Sequence, residues 1–171
     1  MPKTTVWHHI QKIKLSDQAL AVLRSKQGGS SLRKDREWQR AKEEVKQLLN
    51  SRQKHLYISA ACLYWAEGSK RRCEFINTDG QMIKLYLKVL RDHLKIPESQ
   101  IQPVLRIFSN HDQKTCLRYW SEVTQIPANK FTIFINDGGT NGRGYGMCRV
   151  IVRKGGYTLK LFQAIIDELC K

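Results

Sequence analysis

Residues 56–82 read LYISAACLYWAEGSKRRCEFINTDGQM. A mostly apolar run ends at Ala66, passes straight into a carboxylate, Glu67, and then into Gly68, before three successive cations at 70–72 and a short β-prone segment. The apolar run predicts a helix, and Gly68 is the residue type usual just past a helix C-terminus. A carboxylate in the last turn sits at the negative end of the helix dipole, unfavourable there by roughly 0.3–1 kcal/mol. Something positive should therefore compensate Glu67. Ser59, Ala60, Ala61, Cys62 and Ala66 are small for a core helix, and small residues let two helix backbones approach closely. The same spacing also fits an ordinary core helix with a solvated residue at its end.

Downstream, CEFIN at 73–77 reads as a short strand, and Asp79 as the N-cap of a helix whose apolar positions are Met82, Leu85, Leu87, Val89, Leu90 and Leu94. VLRIFSN at 104–110 is a strand and TCLRYWSEVTQI at 115–126 a helix closed by Pro127. KFTIFIN at 130–136 alternates, with Phe131, Ile133 and Ile135 on one side and Lys130, Thr132, Phe134 and Asn136 on the other. A glycine-rich loop, DGGTNGRGYG, follows and reads as mobile. CRVIVR at 148–153 is a further strand with Arg149 and Arg153 opposite Val150 and Val152, and a helix over 157–169 finishes the chain. This order predicts an α+β domain. Its antiparallel sheet would carry helices on one face and present the other to a partner. The outward residues are mostly Arg, Lys, Asn and Thr, which suit phosphates and base edges.

Upstream, TTVWHHIQKI at 4–13 has helical spacing through Val6, Ile10 and Ile13, and a second short helix after Ser16 would face Leu20 and Leu23 inward. Gly28, Gly29, Ser30 and Ser31 read as a turn or flexible joint. Residues 32–53 form a charged helix with a narrow apolar edge of Trp38, Ala41, Val45 and Leu48 or Leu49. The chain thus divides into a basic helical arm, 1–54, and an α+β domain, 55–171.

Thirty Lys and Arg against fifteen Asp and Glu leave a formal charge of +15 over 171 residues. Dividing after Ile58 gives thirteen basic and five acidic residues, then seventeen and ten, so the excesses of +8 and +7 are shared by both parts. A polyanion, above all nucleic acid, is the natural partner. No apolar run reaches the length of a membrane span and the first residues lack a signal-peptide core, so the expected place is the cytoplasm or nucleoid, without membrane attachment. Five scattered cysteines contain no Cys-x-x-Cys pair, and buried free thiols are the expectation.

AACLYWAEG at 60–68 resembles a divergent LAGLIDADG motif, with Leu63, Ala66 and Gly68 in register and Glu67 in place of the final aspartate. The continuation SKRRCEFINTDGQMIKLYLKVLRDHL is similar to the strand and helix start that follow the motif in homing endonucleases, and the resemblance extends over about 56–171. It implies a homodimer, since the chain has one motif, with Ser59, Ala60, Leu63 and Ala66 at the helix–helix interface. It also implies that Glu67 of each copy is the catalytic carboxylate and metal ligand, for Mg²⁺ or Mn²⁺. Two carboxylates ~4 Å apart repel by about 4 kcal/mol at an effective dielectric of 20, a cost that divalent cations between them remove. The implied activity is hydrolysis of duplex DNA at a roughly palindromic site.

Lys70, Arg71 and Arg72 follow the motif where the first strand would meet DNA, and Arg106, Lys130, Thr132, Asn136, Arg149 and Arg153 complete the DNA-binding candidates. Lys70 or Lys130 could place positive charge near the cleaved phosphate. Two rivals stay open: a DNA-binding regulator that does not cleave, and an RNA-binding splicing cofactor using the same face. His8 and His9 are adjacent and cannot share one helix face as a metal pair. KTTVWHHIQKI resembles the recognition helix of a resolvase-like helix-turn-helix. Trp65, Tyr119 and Trp120 read as core residues.

Overall fold

The computed structural model describes residues 16–138 and 144–171. The segment with His8 and His9 and the middle of the glycine-rich loop lie outside them. Among the described residues no helix is long and apolar enough to cross a membrane. The chain divides into two compact units, Met1–Gln39 and Arg40–Lys171.

Helix α1, Asp17–Asn50, is continuous, so residues 28–31 are helical and not the expected joint. Each glycine costs a helix interior about 1 kcal/mol relative to alanine. Good helix formers on both sides offset this, because propagation from an existing helix is far easier than nucleation. The segment from Arg40 onward belongs to the larger unit. There Ala41 and Val45 are buried, the Arg40 guanidinium lies 5.1 Å from the Tyr157 ring centroid, and the Tyr157 hydroxyl donates to Glu44 Oε2 at 2.7 Å. By contacts the division falls at 39/40, ahead of the 54/55 boundary drawn where the pattern changes to strands alternating with helices.

The larger unit continues with α2 (Lys54–Glu67), β1 (Glu74–Asn77), α3 (Gly80–Lys88), β2 (Ile101–Phe108), α4 (Gln113–Thr124), β3 (Thr132–Asn136), β4 (Met147–Val152) and α5 (Gly156–Leu169). This is an α+β arrangement around a four-stranded sheet of order β1-β4-β2-β3. The sheet is mixed, which corrects the antiparallel expectation: β4 runs antiparallel to β1 and β2, whereas β2 and β3 are parallel. The α4 crossover is the cause, since a helix between two neighbouring strands returns the chain to the end at which it started.

Register sorts the strands into two faces. Phe75, Leu105, Cys148 and Val150 are fully buried against the helices, and Ile107 and Val152 nearly so. Tyr64, Tyr86 and Phe162 from α2, α3 and α5 join Phe75 in one aromatic cluster, with Phe75–Tyr86 and Tyr64–Phe162 centroids 4.7 and 5.2 Å apart. Asp79 does cap α3, accepting the Gln81 amide at 2.7 Å. Beyond Lys88 the helix widens into a π turn, Val89–His93, that buries both Val89 and Leu90. The deepest residues of α3 itself are Ile83, Tyr86 and Leu87, while Met82 and Leu85 are only half-buried. Trp120 is fully buried as expected and donates its indole N–H to Tyr145 O at 2.8 Å. Trp65, by contrast, is 58% exposed.

Gly68 does not adopt the left-handed cap conformation that its position suggests; its backbone is extended, φ −83° and ψ 159°. Close approach is what demands glycine. A Cβ there would lie 2.4 Å from Tyr64 O and 2.7 Å from the Tyr64 ring. Gly68→Ala is expected to destabilise the fold by about 1–3 kcal/mol, the range for overpacking a core, measured by chemical denaturation.

The cysteines divide differently from the expectation of uniform burial: Cys73, Cys116 and Cys148 are buried, but Cys62 and Cys170 are exposed. Burial raises the Cys73 and Cys148 thiols from an ordinary 9.0 to about 12. Because the folded values lie above the unfolded ones, the associated stability is complete below pH 9 and is lost as pH rises towards 12. A thiol reagent at pH ~8 is expected to modify Cys62 and Cys170 in the native protein and the other three only after unfolding, read by mass spectrometry.

Candidate nucleic-acid interface

The sheet face turned away from the helices is built by alternate residues of all four strands. Pairing across it sets Arg149 between Ile76 and Val104, and Arg106 between Met147 and Phe134. Thr132 pairs with Val104, and Asn136 with Phe108. Arg106, Thr132, Asn136 and Arg149 thus share one face, as the alternation predicted. Arg153 follows β4 directly and donates from Nε to Gln102 Oε1 at 3.0 Å.

The two central arginines do not stand off into solvent. Val104 is only 2% exposed although it belongs to this face, and the Nε atoms of Arg106 and Arg149 are buried. Long stems of this kind bury against apolar surface while the charged head stays near water. Neither Nε has a hydrogen-bond partner among the described residues. The nearest carboxylate oxygen to Arg149, on Glu74, is 3.9 Å away, beyond hydrogen-bonding range. A buried donor left unpaired costs about 1–3 kcal/mol, more for a charged group. The face therefore holds two guanidinium groups with unused Nε donors, one of them ion-paired to Glu74, beside an exposed aromatic, Phe134.

The other cations lie around this centre. Lys130 is in the 3₁₀ turn Ala128–Lys130 and not in the strand. It lines, together with Arg153, Gln102 and the Arg91–Glu98 ion pair, a groove of about 870 Å³ beside the start of β2. Lys70, Arg71 and Arg72 are exposed on the turn before β1, at the sheet edge opposite β3.

Glu67 is the last residue of α2 and is exposed. Gly68 bridges Phe75, which brings this helix end to the β1 edge. The Lys70 ammonium donates to Trp65 O, a carbonyl of the last helical turn, and so places a cation at the negative end of the helix that carries Glu67. Among the described residues no group of three or more His, Cys, Asp or Glu could hold a metal ion. One exposed carboxylate offers hard oxygen of the kind Mg²⁺ prefers, and Mg²⁺ is commonly held by one or two carboxylates completed by water and substrate phosphate. The chain alone supplies the first of these; a second copy would be needed for the other.

Of the residues assigned to helix pairing, Ala60 is fully buried inside the chain and has no surface for a partner. Ser59 and Leu63 are half-buried and Ala66 is exposed. The exposed Cys62 belongs to this strip, because positions 59, 62, 63 and 66 share one helix side. The residue that sequence reasoning missed is Tyr64, whose hydroxyl donates to the carbonyls of Ser69 and Arg72. A lone tyrosine four positions before Gly68 was its only signal.

Arg106→Met and Arg149→Met keep an apolar stem and remove the unpaired donors. Each is expected to leave thermal stability unchanged or higher while weakening binding to nucleic acid about tenfold or more, measured by calorimetry and by fluorescence anisotropy with a duplex. No protein-family model, no curated protein and no solved structure matches this chain.

Proposed function

We propose that this chain is a divalent-metal-dependent, site-specific DNA endonuclease of the LAGLIDADG kind, acting as a homodimer. The observation that carries the binding half of this reading is the pair of buried, unpaired Nε donors on the open sheet face. Phosphate oxygens or the acceptors of guanine along a major groove would satisfy them once the side chains lift from the sheet, since neither Nε is open to solvent in the free chain. The net charge of +15 supports the same class of partner.

The cleavage half rests on the resemblance of residues 60–68 and on where Glu67 lies. It ends a helix whose Ser59, Leu63 and Ala66 keep free surface, at the β1 edge of the sheet. A two-fold axis along this helix would join two sheets into one extended face and bring the two Glu67 carboxylates together. Divalent ions bound there would supply Lewis-acid polarisation of the scissile phosphates. Glu67 would hold them, Arg106 and Arg149 would fix the duplex, and Lys70 would keep the helix end in place.

Binding without cleavage is the second reading, and it is favoured by the single carboxylate and the lack of a ligand cluster among the described residues. The two separate on one experiment. Duplexes selected from a random pool are expected to be cut on addition of Mg²⁺ or Mn²⁺ and to stay intact with a chelator. Glu67→Gln should lower the cleavage rate at least 100-fold while binding in Ca²⁺ stays within about threefold. Undiminished cleavage by Glu67→Gln would remove the catalytic assignment, and tight binding with no cutting in either metal would leave the regulator.

A further inference from the structure

The turn over residues 69–72 carries the cations Lys70, Arg71 and Arg72 on three of its four positions, yet its backbone is fastened at both ends. The Ser69 amide donates to Glu74 O at 2.9 Å and the Glu74 amide to Arg72 O at 2.8 Å. Ser69 Oγ accepts the amides of Arg71 and Arg72 at 3.3 and 3.4 Å. From the core side, the Tyr64 hydroxyl is shared between Ser69 O and Arg72 O, the carbonyls at the two ends of the turn. Lys70 folds back to Trp65 O. Arg71 and Arg72 have no side-chain partner among the described residues.

Tyr64 is itself held firmly. It is 3% exposed, and its ring packs against Phe162 and, 6.3 Å away, Tyr86. Burial pushes its hydroxyl pKa well above the ordinary value, so the group remains a donor at any working pH. Adjacent like charges repel, and a turn tied only at its own backbone would relax by splaying them. The hydroxyl opposes this from a rigid support.

We infer that Tyr64 is a positioning residue: its hydroxyl locks the 69–72 turn so that Arg71 and Arg72 meet the phosphates of a bound DNA duplex as a preformed pair. This rests on the nucleic-acid reading above. Preorganisation of this kind raises affinity by removing the ordering that binding would otherwise require.

The test is a thermodynamic cycle in the full-length chain. Affinity for a fluorescent duplex is titrated at several salt concentrations for wild type, Tyr64→Phe, Arg71→Ala/Arg72→Ala, and the combination. The arginine pair is expected to lower the slope of log K against log salt by about two. Tyr64→Phe should weaken binding roughly three- to tenfold, the effect of one lost hydrogen bond, but have no effect once the arginines are gone. Ser69→Ala, which removes the outer acceptor without touching the core, should behave in the same non-additive way and covers the case in which Tyr64→Phe folds poorly. Equal losses in both backgrounds would make Tyr64 a packing residue only and overturn the inference, as would wild-type binding by both variants. Those results leave the DNA reading standing if Arg106→Met still weakens binding. If the wild type binds no duplex, the reading and the inference fall together.

Discussion

The aromatic cluster of Tyr64, Phe75, Tyr86 and Phe162 is the contact on which the larger unit depends. It ties α2, α3 and α5 to β1, and through β1 to the sheet. Aromatic rings bury 150–250 Å² each and hold preferred geometries, so a few of them define one side of a four-stranded sheet as its core. With the helical packing committed to that side, the other is left to Arg106 and Arg149 among apolar neighbours, with Thr132 and Asn136 on the same face. The same cluster governs the end of α2, since the Tyr64 ring excludes a side chain at Gly68 and its hydroxyl reaches the next turn.

The open face is maintained at a cost to stability. Two guanidinium groups keep buried Nε donors without partners among the described residues. A sheet selected for stability alone would place apolar or small polar residues at these positions. Unmet hydrogen-bonding capacity concentrated on one surface is what a binding face requires, because the acceptors arrive with the ligand. This argument concerns binding. The cleavage proposed at Glu67 would draw on a second carboxylate from another copy of the chain.

The fold was legible wherever a pattern was local. Alternation in 132–136 and 148–152 assigned residues to the faces that the register shows, and Asp79 announced its helix, whereas the antiparallel pairing expected of the sheet failed between β2 and β3. Other expectations depended on long-range contacts. Residues 28–31 look like a joint because glycine is a poor helix former, but flanking helix carries the chain through. Trp65 and Trp120 look alike in sequence, yet one is exposed and the other sits beneath Tyr145. Ala60 and Ala66 are both small residues of one helix, and only packing shows that the first faces inward.

By itself, the sequence determined the basic character of both parts of the chain, the order of its elements, and the position of a lone carboxylate at the end of an apolar helix. These follow from composition and from spacing along the backbone. Only the tertiary structure decided which cations share a face, that two of them keep buried Nε donors unpaired, that Gly68 answers to a tyrosine ring instead of a left-handed turn, and that Lys70 bonds the helix end. Each of these depends on atoms brought together through folding by burial of the aromatic core, and spacing along a chain carries no record of that proximity.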